Sequence, residues 1–321
     1  MATYYGTYGQ KVQYLASDPS DPQTGQVWYN STSAVLKVRS VSTTGTFASG
    51  GNLNTSRTGV GNANAGTQTA TLAFAGSGTS TASESYNGTS WTSTPSLNTG
   101  RNNVTGSGTQ TAALCYGGDS TVYNTSTEAF NGSSWTSVNS LNTGRNQLGG
   151  IGIQTASLAF GGTGSTIFLA STESWNGTSW TNVNSLNTGR ELIRGTGTQT
   201  AGLGFGGNNG AAVNNNESWN GTSWTATTVM PTSLWGRGGA GTQTATVAFG
   251  GGNPVVTNTD LWNGSAWTSN PTGLATARYY IGSAGTQTSA IGFGSASGPS
   301  ATATEEWNGP GTATTRTVTV S

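Results

Sequence analysis

The chain has 321 residues, 51 of them glycine and none histidine, and its 11 acidic side chains balance 11 basic ones. Zero net charge excludes the field that draws proteins to phosphate backbones or anionic bilayers, so neither nucleic acid nor membrane is an expected partner. Without histidine there is no Ser-His-Asp triad, histidine base or ordinary zinc site, and the expectation is a non-enzymatic protein with no catalytic residue, metal or cofactor.

Residues 1–45 do not match the rest of the chain. They hold both lysines, Lys11 and Lys37, and a turn-rich Asp18-Pro19-Ser20-Asp21-Pro22. The opening residues lack the apolar core of a signal peptide, and no run of 18 apolar residues occurs anywhere, so no membrane insertion is expected. The stretch 25–38 predicts a small β-hairpin module of two alternating strands around a polar turn. A lone hairpin is marginal in water, so it needs a surface to pack on. That makes residues 1–45 a candidate attachment segment, with Trp28 and Tyr29 as its candidate contacts.

From residue 46 to 310 the sequence repeats. A Gly-Thr-Gln-Thr phrase or near copy places glutamines at Gln68, Gln110, Gln154, Gln199, Gln243 and Gln287, with successive spacings of 42, 44, 45, 44 and 44. Periods of this length suit four-stranded β-propeller blades, and the Gly, Thr, Ser and Asn content disfavours helical repeats. Each period reads as an arginine, a short strand, the glutamine, a strand ending in Gly-Gly, an aromatic strand, an Asn-Gly turn and a strand opening on Trp. Asn-Gly between alternating segments predicts a type I′ hairpin. The last period, Asn308-Gly309, lacks its Trp strand. Thr44-Gly45-Thr46-Phe47 aligns with the missing piece, so Phe47 is expected to complete blade six, with Arg316 to Val320 as the competing closure. Residues 311–321 are a C-terminal strand or tail.

Within the repeat, acids recur at Glu84, Glu128, Glu173, Glu217, Asp260 and Glu305, and arginines at Arg57, Arg101, Arg145, Arg190 and Arg278. These predict Arg–carboxylate links within or between blades, because the guanidinium fork suits a carboxylate. The glutamine amide is expected to satisfy backbone groups between neighbouring blades. Cys115, the single cysteine, stands where other repeats have Ala or Gly and reads as a core residue. Four aromatics fall outside the repeat, Tyr123, Trp235, Tyr279 and Tyr280, and are the candidate ligand contacts.

The Gly-Gly pairs at 117–118, 161–162, 206–207 and 250–251, the third-strand aromatics Phe130, Trp175, Trp219 and Trp262, and the following Trp135, Trp180, Trp224 and Trp267 resemble the kelch repeat. The sixth period departs, with Gly294-Ser295, and the gap from third-strand aromatic to Trp is shorter than kelch proteins show. The resemblance implies an all-β, six-bladed β-propeller of four-stranded blades. The copper oxidases built on that fold need His and a Tyr-Cys pair, so their activity does not carry over.

The segment Gly25-Gln26-Val27-Trp28-Tyr29-Asn30, followed by Leu36-Lys37-Val38, resembles short modules of phage tail and fibre proteins. The implied function is a virion structural component, a tail, fibre or capsid-surface protein, with virion proteins, copies of itself or a cell-surface glycan as partners. It would reside in the virion or outside the cell. A lectin-like adhesin and a self-assembling extracellular filament are the alternatives.

Overall fold

The computed structural model describes residues 12–41, 44–120, 123–165, 167–295, 301–311 and 313–318. The third repeat shows how the sequence dictates a sheet. Its strands are Gly149–Ile153, Ala156–Phe160, Thr172–Trp175 and Trp180–Val183, antiparallel in that order. The innermost strand is glycine-rich because aromatic rings press on both its faces. A Cβ at Gly149 would collide with the Phe160 ring of its own sheet, and one at Gly150 with the Tyr116 hydroxyl of the sheet before.

The Asn-Gly turn differs from the type I′ expectation. Trp175 pairs directly with Trp180, leaving a four-residue loop in which Gly177 (φ 91°) takes the left-handed conformation and Asn176 does not. The Asn176 Oδ1 instead accepts the amides of Thr178 and Ser179, both at 2.9 Å. The side chain closes the loop, so the backbone has no need of a second positive φ.

Six such sheets lie in one compact unit, Thr46–Asn308. Their innermost strands touch in succession, and the last, Gly282–Gly285, touches the first, Gly61–Asn62. The sheet of the last repeat takes Thr46–Ser49 as its outermost strand, with Phe47 opposite Trp307. The outermost ring of each sheet packs on a second-strand ring of the sheet before it, as Trp135 does on Phe74 (5.1 Å between centroids) and Trp91 on Phe293 (4.8 Å). Phe47 makes the same contact with Phe249 at 5.3 Å. The core is therefore a series of aromatic clusters shared between neighbouring sheets.

The second unit comprises residues 1–45 and 309–321. It corrects the sequence reading in three ways. The described residues form seven four-stranded sheets where six were expected, because the terminal segment is a full sheet of Gln13–Leu15, Val27–Asn30, Val35–Val41 and Ala313–Val318. The expected hairpin is there, Val27–Asn30 against Val35–Val41, but a parallel strand covers one edge and the C-terminal strand the other. That strand pairs in this sheet, while Thr46–Ser49 completes the sheet of the last repeat. Trp28 is fully buried, and its indole donates to Asp18 at 3.0 Å, so it is a core residue and cannot be an attachment contact. Tyr29 stacks on Tyr14 at 5.1 Å.

Candidate binding site at the axial mouth

Each sheet is entered through a loop that the charged residues fix in place. Arg57, Arg101, Arg145, Arg190 and Arg278 are all fully buried and pair with Glu84, Glu128, Glu173, Glu217 and Glu305 of the same sheet. In the third sheet the Arg145 Nη2 lies 2.6 Å from Glu173 while Nη1 donates to the Ser171 carbonyl at 2.7 Å. The same carboxylate accepts the loop amides of Asn142 (2.7 Å) and Thr143 (3.2 Å). Burial pushes the Arg145 guanidinium down and Glu173 opposes this, so the pair stands or falls together. The acids are each held by their own arginine and do not converge, and the described residues contain no group of three or more potential metal ligands.

Sequence reading missed the sixth pair. Asp260 is matched by Arg237 at 2.7 Å. Arg237 stands three residues beyond the repeat position, which Leu234 occupies, and its side chain reaches back to the common site. The excess acid in the count of six acids against five arginines was the signal that could have found it.

The glutamine amides cross between sheets. Gln154 donates to the carbonyls of Ala113 and Phe130 in the preceding sheet, at 3.2 and 2.6 Å. Gln68 reaches Ala290 and Trp307, Gln110 reaches Thr71 and Tyr86, and Gln287 reaches Thr246 and Trp262. Gln199 and Gln243 bond Trp175 and Trp219 in the same manner. Cys115 is buried in the core, and burial raises its thiol pKa.

The two positions after the arginine behave differently from the rest of the repeat. The second of them is Gly59, Asn103, Gln147, Leu192, Gly236 and Tyr280, and every one has φ between 51° and 61°. Four are not glycine, so left-handed backbone is imposed there by the surroundings. The cause is a backbone relay running from sheet to sheet. Gln147 N donates to Asn103 O (3.0 Å), Leu192 N to Gln147 O (2.7 Å), Gly236 N to Leu192 O (3.1 Å) and Tyr280 N to Gly236 O (2.8 Å). These residues surround the mouth of a small cavity of about 60 Å³ on the ring axis, which Val104, Leu148, Ile193, Arg194 and Ile281 also line.

Of the four candidate aromatics only Tyr280 lines this mouth, and Trp235 and Tyr279 pack against it. Trp235 lies 4.9 Å from Tyr279, edge to face, and 5.9 Å from Tyr280, and the two tyrosines are 5.1 Å apart. All three are half-buried, and the Tyr280 hydroxyl accepts from Gln147 across the mouth at 2.9 Å. Burial, with help from Glu191, Tyr279 and Asp119, pushes that hydroxyl up to about 12. Tyr123 is not part of the group; it bridges to Asp119 in another loop and is exposed. Asp119 accepts from Asn146 (2.5 Å) and Asn103 (3.3 Å), and Glu191 from Asn208 (2.9 Å) and the Thr163 hydroxyl. The site that sequence reading overlooked is thus Asn103, Gln147, Glu191, Leu192 and Arg194, and its signal was divergence at positions flanked by near-identical residues.

Seven four-stranded sheets, six of them repeat-equivalent and in mutual contact through their inner strands, can be set beside known structures. One solved structure, described as the structure of YjhT, superposes with a TM-score of 0.65, covering 80% of this chain and 96% of that one at 12% identity. This chain is a β-propeller. No family model matches its sequence, and no curated protein does. At 12% identity the likeness carries the propeller fold alone.

Proposed function

We propose that this propeller, of kelch type, is a non-enzymatic binding protein whose axial mouth takes a saccharide. The observation that carries this is the location of the variation. Repeats that are otherwise near-identical diverge at the residues lining one mouth, and Tyr280, which lines it, gathers Trp235 and Tyr279 beside it. Aromatic faces beside amide donors such as Asn103 and Gln147 suit the apolar face and hydroxyl rim of a sugar ring. The setting we propose is a phage particle, as a tail, fibre or capsid-surface component that docks on other virion proteins or on copies of itself. That setting rests on the wording of residues 25–38 and on a neutral surface of Ser, Thr and Asn.

The test is a glycan array probed with the full chain and with Trp235→Ala. Binding by the wild type that weakens about tenfold in the variant, with unchanged thermal unfolding, supports the reading. Binding that is indifferent to Trp235, or absent across the array, overturns it.

A further inference from the structure

We propose that the saccharide taken at the mouth is anionic, a sugar ring bearing one carboxylate or sulfate, and that Arg194 receives its charge. The proposal rests on reading the mouth as a saccharide site.

The unit 46–308 contains seven arginines, and six of them are paired with the repeat's acids. Arg194 is the exception. Its counterparts in the other repeats are Gly61, Thr105, Gly149, Gly238 and Gly282, so a large cation stands where the repeat keeps small residues. Two further departures meet it from other sheets. Asn62 and Ser283 occupy a position that is glycine in the remaining four repeats, and Arg194 Nη2 donates to the Asn62 Oδ1 at 3.2 Å and to the Ser283 hydroxyl. Three breaks in the repeat thus converge to hold one guanidinium beside the axial cavity, which it lines.

The holding is incomplete in a chemically informative way. The partners are neutral, Nε is enclosed with no acceptor, and Nη1 makes no hydrogen bond among the described residues. Burial lowers the guanidinium to about 10, still far above neutrality, so the charge persists at physiological pH. A cation with Nη1 unused and no counter-ion is completed by an anion, and a carboxylate or sulfate oxygen is the acceptor that also supplies the missing charge. Asp119 accepts from Asn103, a lining residue, and Glu191 directly precedes Leu192, another, so both carboxylates stand near the mouth. They oppose a second negative group, which favours a ligand with a single charge.

Isothermal titration of the full chain with glucose, glucuronate and glucose 6-sulfate, at two salt concentrations, tests this. We expect the two anionic sugars to bind at least tenfold tighter than glucose, with an advantage that shrinks at high salt and disappears in Arg194→Gly. Which of the two binds more tightly tells carboxylate from sulfate. Arg194→Gly restores the residue of the neighbouring repeats and is expected to fold; Arg194→Lys, which keeps the charge, retains part of the preference. Equal affinity for glucose and the anionic sugars, or a preference unchanged in Arg194→Gly, overturns the anionic assignment and leaves the saccharide reading standing. Absence of binding by all three sugars together with a negative glycan array overturns both.

Discussion

Arg145 and Glu173 illustrate what a single residue contributes to this fold. Both are fully buried, and Glu173 also accepts two loop amides, so each partner has few alternatives if the other is removed. Arg145→Met should therefore destabilise the protein by about 3–5 kcal/mol, mostly from leaving the carboxylate unpaired. Adding Glu173→Met should recover a large part of that loss, and denaturant unfolding of the two single variants and the double closes the cycle. A cost below 1 kcal/mol for Arg145→Met would mean that solvent reaches the pair. Such pairs were readable from the sequence because charged residues are rare and recur in register. The left-handed conformations of Asn103, Gln147, Leu192 and Tyr280 were not, since each looks ordinary in its own repeat and the relay that imposes them is formed only between sheets.

At the scale of elements, repetition made the strands legible and chance variation hid the details. The Asn-Gly pair marked the hairpin correctly, yet the four-residue loop depends on which amides the Asn side chain takes, which the dipeptide alone does not specify. The terminal sheet was half legible, because pairing of Val35–Val41 with Ala313–Val318 joins strands more than 270 residues apart and leaves no local signal. Its stability has a predictable pH response. Lys37, Asn30 and Trp28 donate to Asp18 and hold its carboxyl at about 2, below the ordinary 3.8. A depressed carboxyl adds stability that is fully present above about pH 4 and is lost as pH falls through about 2. The Trp28 indole N–H resonance should therefore shift over that window in the wild type and remain flat in Asp18→Asn. A titration unchanged by that substitution would place the responsible group elsewhere.

On the scale of the whole ring, every sheet is joined to the next by a glutamine amide and an aromatic contact, and one junction depends on a strand from the far end of the sequence. Phe47 is half-buried and packs on both Trp307 (5.0 Å) and Phe249 (5.3 Å), so Phe47→Ala should cost about 2 kcal/mol, less than a fully buried ring. The consequence should extend beyond that strand. Thr46–Ser49 is the outer edge strand of its sheet, and loosening it exposes the backbone of Thr304–Asn308 and the sheet against it. Hydrogen exchange is the measurement, because it reports opening free energy element by element. In the wild type, the strands of the sixth repeat should be protected as well as those of the third. In Phe47→Ala, protection should fall first in Thr46–Ser49 and Thr304–Asn308 and next in the adjoining sheets, with Gly149–Ile153 and its neighbours least affected. Trp135→Ala makes the comparison, since it removes an equivalent ring from an uninterrupted sheet. If both variants lose protection uniformly around the ring, closure by the early strand is no weaker than any other junction, and the ring unfolds as one cooperative unit.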